Sequence, residues 1–229
     1  MPNGGTLALY LIGSYLLGSL PFGLWIAWQW KHVDIRTVGS GNIGATNVGR
    51  ICGPLAGGLA MALDLLKGLL PPLIGRYGLH LETGSGWLIL ASLLAIVGHN
   101  YSIWLRFKGG KGISTSAGVL LGLCPWACLG VVLVFLVTLL LTRWVSLGSI
   151  MTAVTLPLFI LLFYPGNYYL LGFGLVASLM ALYRHRSNIQ RLRAGTEPRV
   201  NLFKRKRTTG TDAAPQQTEP GSDITPDGE

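Results

Sequence analysis

Apolar residues fall in blocks long enough to cross a lipid bilayer, and this limits the chain to a few folds. A spanning helix needs about 20 mostly apolar residues. Clear blocks cover residues 6–29, 52–74, 86–105, 146–164 and 167–183. Only 12% of the residues are charged, which is about half the fraction in a typical soluble domain. The blocks therefore predict one all-α polytopic membrane domain rather than a globular core.

The stretch 113–142 decides how many spans there are. It is too long for one ordinary helix and contains Pro125, which removes a backbone donor and disrupts the preceding turn. As one helix it would give six spans and would put the bases before it and those after it on opposite sides. As two helices, 113–124 and 126–142, it gives seven spans and leaves only Arg76 apart from the other loop bases. The positive-inside rule favours the second division, with the N-terminus outside and the C-terminus cytoplasmic.

The fourth of these seven predicted transmembrane segments, residues 113–124, is short. About 12 residues make roughly 18 Å of helix, which does not cross a hydrocarbon core of about 30 Å. Such a helix usually ends inside the protein, where its terminus can face a polar cavity. Its N-terminus directly follows residues 108–112, which are lysine and glycine only.

Charge divides the chain into two parts. Residues 1–207 carry all 18 Lys and Arg and only four acids, whereas residues 208–229 carry five acids and no base. The second part is also rich in Thr, Pro, Gly and Gln, a composition typical of disorder. We therefore predict a membrane domain at 1–207 and a disordered acidic tail at 208–229. Because the bases flank apolar blocks, they favour membrane lipid as a partner and not nucleic acid.

Three polar segments on the predicted cytoplasmic side, residues 39–50, 98–112 and 184–197, are candidates for binding anions. The first has four glycines and ends on Arg50. Glycines allow close backbone approach, free N–H groups at a helix start bind anions, and arginine can bind phosphate through two hydrogen bonds. Its neutral donors are Ser40, Asn42, Thr46 and Asn47. The alternative is a flexible interhelical loop, with Asn47 as a helix cap.

The second segment has Lys108 and Lys111 on either side of two glycines, immediately before a helix. Backbone donors, the helix dipole and ammonium groups suit an anion, although the spacing is not that of a Walker A loop. The alternative is charge that only sets topology.

In the third segment, His185 and Asn188 are three residues apart and would share one face of a helix. His185 is a candidate proton handler. The arginines of this segment are predicted to anchor at the lipid surface; they are Arg184, Arg186, Arg191 and Arg193.

Several other kinds of site are missing from the sequence. It has no carboxylate pair suited to glycosidase chemistry, no GxSxG or HExxH motif, and no His followed at the fifth position by Asp. The three cysteines lie in apolar segments without metal-binding spacing, so no metal or cofactor is predicted. Asp64 and Lys67 lie three apart inside the second span, where lone charges are costly. They are predicted to pair, either as a structural ion pair or in support of the site.

Six stretches occur in an order that characterises one family: residues 18–23, 40–50, 64–68, 98–100, 107–112 and 184–189. Together they resemble the bacterial acyl-phosphate-dependent glycerol-3-phosphate acyltransferases, over residues 7–197. The resemblance implies a seven-span enzyme of the bacterial inner membrane whose active site faces the cytoplasm. It implies transfer of an acyl group from acyl phosphate to the sn-1 hydroxyl of glycerol 3-phosphate, the first step of phospholipid synthesis. The products are lysophosphatidic acid and phosphate, and neither acyl-CoA nor acyl-carrier protein is the direct donor.

The resemblance also leads to a hypothesis for the site. Five side chains are expected to hold glycerol 3-phosphate: Ser40, Arg50, Lys111, His185 and Asn188. Lys108, the amides of 109–112 and the loop 40–44 are expected to hold acyl phosphate. The predicted catalytic residues are Ser40, Lys111, His185 and Asn188; the predicted substrate-binding residues are Gly41, Asn42, Gly44, Thr46, Asn47, Arg50, His99, Asn100, Lys108, Gly109, Gly110 and Gly112.

Two questions stay open at this point. The base is either His185 or the departing phosphate, and Ser40 is preferred as a hydrogen-bond donor over a nucleophile. A membrane transporter of small phosphate compounds is the competing function, because a short helix above a cationic mouth suits that class too.

Overall fold

The structure is a computed structural model that describes residues 2–200. Within this range every regular element is helical, as predicted, and the predicted tail at 208–229 lies outside the described residues. The α-helices are α1 Gly4–Ser19, α2 Phe22–Lys31, α3 Ala45–Cys52, α4 Pro54–Leu73, α5 Gly86–Asn100, α6 Ile113–Leu123, α7 Pro125–Thr142, α8 Val145–Phe163, α9 Tyr168–Arg184 and α10 Arg186–Arg193. A π-helical turn at Ile74–Gly78 extends α4, and a 3-10 turn at Ile103–Leu105 follows α5.

Among the described residues 2–200, five segments are long and apolar enough to span a bilayer: Gly4–Lys31, Pro54–Gly78, Gly86–Leu105, Pro125–Thr142 and Val145–Phe163. Helices α6 and α9 are apolar but shorter. The count of seven spans and their orientation therefore stay predictions.

The predicted break at Pro125 is confirmed, because α6 ends at Leu123 and α7 begins at Pro125. A helix end inside the protein leaves carbonyl groups without partners. Here the Arg76 guanidinium donates from Nη1 to the Gly122 carbonyl oxygen at 3.2 Å. A cation at a helix C-terminus also complements the helix dipole, so Arg76 stabilises the inner end of the short helix.

The first predicted span, 6–29, corresponds to the apolar segment Gly4–Lys31, but its helix breaks between Ser19 and Phe22. The break contains Pro21, which cannot donate to the preceding turn. Two carbonyls freed there find partners from other elements. Ser102 Oγ donates to the Ser19 oxygen at 2.6 Å, and Lys67 Nζ donates to the Leu20 oxygen at 2.8 Å.

Glycines let the helices around the short α6 approach closely. A Cβ added at Gly68 of α4 would collide with the Thr115 carbonyl of α6, and one at Gly118 of α6 would collide with the Leu65 carbonyl of α4. Small residues at such crossings are typical of helix packing in membranes. This tight contact with α4 holds α6 in place and so places its N-terminus.

The predicted ion pair in α4 forms, with Lys67 Nζ and Asp64 Oδ1 2.8 Å apart and both side chains almost fully buried. His99 of α5 approaches the same carboxylate, with Nδ1 at 3.6 Å. Buried charges persist when they are paired and hydrogen-bonded. Through the bond from Lys67 to the Leu20 carbonyl, the pair thus ties α4 to the α1–α2 break.

Candidate functional site

A cavity of about 730 Å³ lies where the three polar segments meet. One end is polar; its side chains include Ser40, Asn42, Thr46, Arg50, Lys111, His185, Asn188, Arg191 and Glu197. The other end runs between helices and is mainly apolar; it includes Met61, Leu65, Leu120, Val131, Val132, Phe135, Leu136, Val145 and Leu156. The cavity can therefore accept a molecule with an anionic head and a long apolar chain.

The first glycine loop, residues 39–44, is shaped by the buried side chain of Asn47. Its Oδ1 accepts the Ser40 N–H at 2.9 Å, and its Nδ2 lies within hydrogen-bond distance of three carbonyls, of Ile35, Val38 and Asn42. Asn47 lies in the first turn of α3, whose cap is Gly44, so the alternative of Asn47 as the cap was wrong. Its amide is occupied by the loop, which leaves Ser40 and Asn42 to face the cavity.

The second glycine loop, residues 108–112, is held by backbone hydrogen bonds. Gly109 N–H donates to the Asn100 carbonyl at 3.2 Å, and Gly110 N–H donates to the His99 carbonyl at 3.0 Å. These two amides are therefore occupied, and the expectation that they bind acyl phosphate was wrong for both. The amide of Gly112 is placed differently, since this residue lines the cavity and caps the N-terminus of α6 with φ +81°.

Lys111 begins a chain of hydrogen bonds across the polar end of the cavity. Its Nζ donates to Asn188 Oδ1 at 2.5 Å, and Asn188 Nδ2 donates to Glu197 Oε1 at 2.7 Å. Arg191 Nε donates to the other carboxylate oxygen of Glu197, also at 2.7 Å. Burial, followed by the charge of Arg191, lowers the pKa of Lys111 to about 8. At neutral pH Lys111 is therefore a cation whose charge is only partly compensated.

His185 ends α9 and is buried against the same cavity. Its Nδ1 lies 2.8 Å from the Ala181 carbonyl oxygen, so this nitrogen must carry a proton to make the bond. Burial lowers the pKa of His185 to about 4. The neutral ring then has an unprotonated Nε2, which can accept a hydrogen bond from a hydroxyl.

The structure brings most of the predicted site residues to the cavity. Those that line it are Ser40, Asn42, Gly44, Thr46, Asn47, Arg50, His99, Lys111, Gly112, His185 and Asn188. Those outside its lining are Gly41, Asn100, Lys108, Gly109 and Gly110. Lys108 is exposed, because the loop turns its side chain away, and Asn100 is buried behind the loop.

Sequence reasoning missed Glu197 and assigned Arg191 to the lipid surface. Both line the cavity and form an ion pair at 2.7 Å. A signal was present, since Glu197 is the one acid in a segment crowded with arginine. Hydroxyl groups of α8, from Ser146, Ser149 and Thr152, also reach the cavity. Within residues 2–200 no three His, Cys, Asp or Glu side chains gather into a possible metal site.

Comparison with known proteins points to one family. A family model described as glycerol-3-phosphate acyltransferase matches residues 8–195. A glycerol-3-phosphate acyltransferase of Desulforamulus reducens is 45% identical over 199 residues, which cover 87% of this chain and 98% of that protein. One of Geobacter sulfurreducens is 44% identical over 186 residues, 81% of this chain and 93% of that protein.

Two solved structures resemble the chain over most of its length. They are crystal structures of PlsY, an integral membrane glycerol 3-phosphate acyltransferase, in a glycerol 3-phosphate form and a lysophosphatidic acid form. The first has a TM-score of 0.80 at 41% identity, and the second has a TM-score of 0.78 at 40% identity. Each alignment covers 86% of this chain and 96% of that protein.

Proposed function

The chain belongs to the glycerol-3-phosphate acyltransferase family and is an acyltransferase, and we propose that it uses an acyl phosphate as donor. The sn-1 hydroxyl of glycerol 3-phosphate accepts the acyl group, and the products are lysophosphatidic acid and phosphate. One observation carries the proposal: a single cavity joins a cationic end to an apolar end between helices. Of the two substrates, the donor has both a phosphate and a long chain, and it fits across both ends.

The polar end carries a net positive charge that suits phosphate. Arg50, Lys111 and Arg191 line it together with the Glu197 carboxylate, and the Asp64 carboxylate, which also lines the cavity, is paired with Lys67. The first-turn amides of α6 begin at the cavity, where no side chain from the described part of the chain caps them, and a helix N-terminus attracts anions. Holding two anions side by side neutralises their repulsion and removes the entropy cost of bringing them together.

The acceptor phosphate is assigned to Arg50, Lys111 and Asn188, three of the five side chains expected from the sequence to hold glycerol 3-phosphate. The donor phosphate is assigned to Ser40 and the N-terminus of α6 at Gly112. This replaces the earlier expectation for Lys108, Gly109 and Gly110, since that lysine is exposed and those amides are bonded within the protein.

The reaction needs the sn-1 hydroxyl oxygen beside the face of the acyl carbonyl carbon, with the phosphate free to leave from the tetrahedral intermediate that forms. The sn-1 oxygen attacks the carbonyl carbon, the bond from that carbon to the phosphate oxygen breaks, and phosphate leaves with the electron pair. His185 Nε2 orients the hydroxyl by accepting its hydrogen bond. With a pKa of about 4, this ring holds a proton weakly. As the bond to phosphate breaks, the hydroxyl proton therefore turns from Nε2 to the departing phosphate, which is the stronger base and takes it.

The same proposal includes the placement in the membrane. Helices α6 and α9 complete seven spans, with the N-terminus outside and the site on the cytoplasmic side of a bacterial inner membrane. Support comes from Lys31 at the end of α2 and from Arg36, Lys108 and Arg143 in the connections, which lie at the same end of the helices as the site. Cytoplasmic loops carry an excess of such bases. A thiol reagent that does not cross the membrane tests this placement. Added to intact cells, it should label a cysteine introduced by Gly84→Cys but not one introduced by Lys108→Cys.

Donor identity is tested with purified protein in detergent. Palmitoyl phosphate plus glycerol 3-phosphate should release phosphate and form one equivalent of lysophosphatidic acid, whereas palmitoyl-CoA should give no product. A faster reaction with palmitoyl-CoA would reject acyl phosphate as the donor. Omission of glycerol 3-phosphate corrects for spontaneous hydrolysis of the donor.

The position of acylation and the transport alternative each have a direct test. Propane-1,2-diol 1-phosphate lacks the terminal hydroxyl and should not be acylated; its acylation would contradict sn-1 transfer. In reconstituted vesicles, labelled glycerol 3-phosphate should appear in lipid. Its appearance unchanged in the lumen, without lipid product, would support a transporter instead.

A further inference from the structure

Arg184, the last residue of α9, points away from the lipid surface that the sequence suggested for it. Its Nε donates to the Gly110 carbonyl at 2.9 Å, and its Nη2 donates to the Gly109 carbonyl at 2.7 Å. Its guanidinium also lies over the Tyr101 ring, 5.3 Å from the centroid. Arg184 does not line the cavity, so these contacts with the second glycine loop need another explanation.

The loop is held from two sides at the same two residues. Gly109 and Gly110 give their N–H groups to the end of α5 and their carbonyls to Arg184 of α9. Both glycines also fit tightly, since an added Cβ would collide with His99 at either position. The backbone directly before Lys111 is therefore fixed between two helices.

A guanidinium suits this task and an ammonium does not. The two carbonyls belong to successive residues, and Arg184 reaches them with two nitrogens of one planar group. Lysine offers a single donor atom and lacks this fork. Both sides of this contact are also next to cavity residues in the chain, because His185 follows Arg184 directly and Lys111 follows Gly110 directly.

We propose that Arg184 is a positioning residue, which clamps the Gly109 and Gly110 carbonyls so that Lys111 meets Asn188 at the cavity. The clamp sets the distance between the two halves of the polar end, one on the loop and one after α9. For its activity readout this inference rests on the proposed function. A misplacement of about 1 Å at a reacting group can lower the rate about 100-fold.

The test compares Arg184→Ala and Arg184→Lys with Arg186→Met as the matched control. Arg186 is exposed, lies two residues further on, and contacts only Tyr183 among its hydrogen-bond and stacking partners in residues 2–200. Deuterium exchange of a peptide spanning 106–113 is measured in detergent, together with kcat and KM for glycerol 3-phosphate. If Arg184→Ala does not fold, Arg184→Lys decides the question, because it keeps the charge.

We expect Arg184→Ala to exchange faster in this peptide and to lose roughly 10–100-fold in kcat/KM. Arg184→Lys should be impaired as well, and Arg186→Met should match the parent protein. Added methylguanidinium, but not methylammonium, should restore part of the activity of Arg184→Ala. Unchanged exchange in Arg184→Ala, or full activity of Arg184→Lys, would overturn the clamp. If the parent protein is inactive with acyl phosphate, the proposed function fails, while the exchange data still decide the inference.

Discussion

The first glycine loop, residues 39–44, is shaped by one side chain, whereas the second, residues 108–112, is shaped by backbone bonds and an arginine. In the first, Asn47 accepts one N–H and lies within reach of three carbonyls. In the second, the peptide groups of Gly109 and Gly110 bond to α5 and to Arg184. Two loops of similar composition are thus held in shape by different kinds of contact.

The difference teaches what glycine does in each loop. In the first, Gly39 and Gly41 have φ of +61° and +68°, a backbone that other residues rarely adopt. In the second, Gly109 and Gly110 are needed for space against His99. The first loop therefore turns side chains towards the cavity, and the second serves as a rigid base for one charge, that of Lys111.

The largest effect is expected when the charge on the second loop is removed. Lys111→Met should lower kcat/KM roughly 100–1000-fold, a typical cost of losing one group that stabilises developing charge. Initial rates of phosphate release with palmitoyl phosphate and glycerol 3-phosphate measure it. Lys31→Met, an exposed lysine at the end of α2, is the control and should keep its rate. An equal loss in Lys108→Met would contradict the description of the loop as a support for one lysine.

A smaller effect is expected when the first loop loses its organising side chain. Asn47→Ala should raise KM for glycerol 3-phosphate and lower kcat, together roughly 10–100-fold, because Ser40 is no longer held. Asn47→Asp keeps the shape but cannot donate to the carbonyls, so it should fail similarly. Thr37→Ala, in the same connection but outside the cavity lining, should behave as the parent. Parent-like kinetics in Asn47→Asp would show that the three carbonyl contacts do not shape the loop.

Replacing one glycine of each loop by alanine should lower the free energy of unfolding by different amounts in the two loops. Gly110→Ala forces a Cβ against the His99 ring, and overpacking of this kind costs about 1–3 kcal/mol. Gly44 has φ −72°, and among residues 2–200 an added Cβ meets only the flexible Asn42 side chain within 4 Å, so the change in the free energy of unfolding of Gly44→Ala should stay within about 0.5 kcal/mol. Thermal unfolding in detergent compares them. Equal destabilisation of both variants would remove the distinction.

The sequence predicted those features that depend on one strong local effect. Pro125 separates two helices, because proline cannot donate to the preceding turn. Asp64 and Lys67 form an ion pair, because an unpaired charge is costly inside a span. Pro21 carried the same kind of signal as Pro125. The block 6–29 was predicted as a span because its apolar run is continuous and of ordinary span length, and that pattern does not reveal the break at Pro21.

The partners of arginine and glycine could not be predicted in the same way. Arg184 bonds to carbonyls 74 and 75 residues earlier in the chain, and no local pattern encodes such a contact. A run of glycine and lysine suggests free amides, yet the amides of Gly109 and Gly110 are bonded to α5. Sequence therefore located the loops of the site, while tertiary packing decided which of their groups are available.

The smallest expected effect is a pH dependence of the activity. It comes from the second loop, since only that loop carries a titrating group at the cavity. Burial lowers the pKa of Lys111 to about 8, so the cation that we propose binds phosphate is present below pH 8 and is lost as pH rises through 8. kcat/KM should fall to about half at that pH and about tenfold for each further unit. Bound phosphate favours the cation, so the limb in kcat should lie at higher pH. The ligand-free protein should instead gain thermal stability above pH 8, because the unfolded chain then binds more protons than the folded one. Lys111→Arg should remove the limb in kcat/KM, and a limb that persists near pH 8 in this variant would assign the titration to another group.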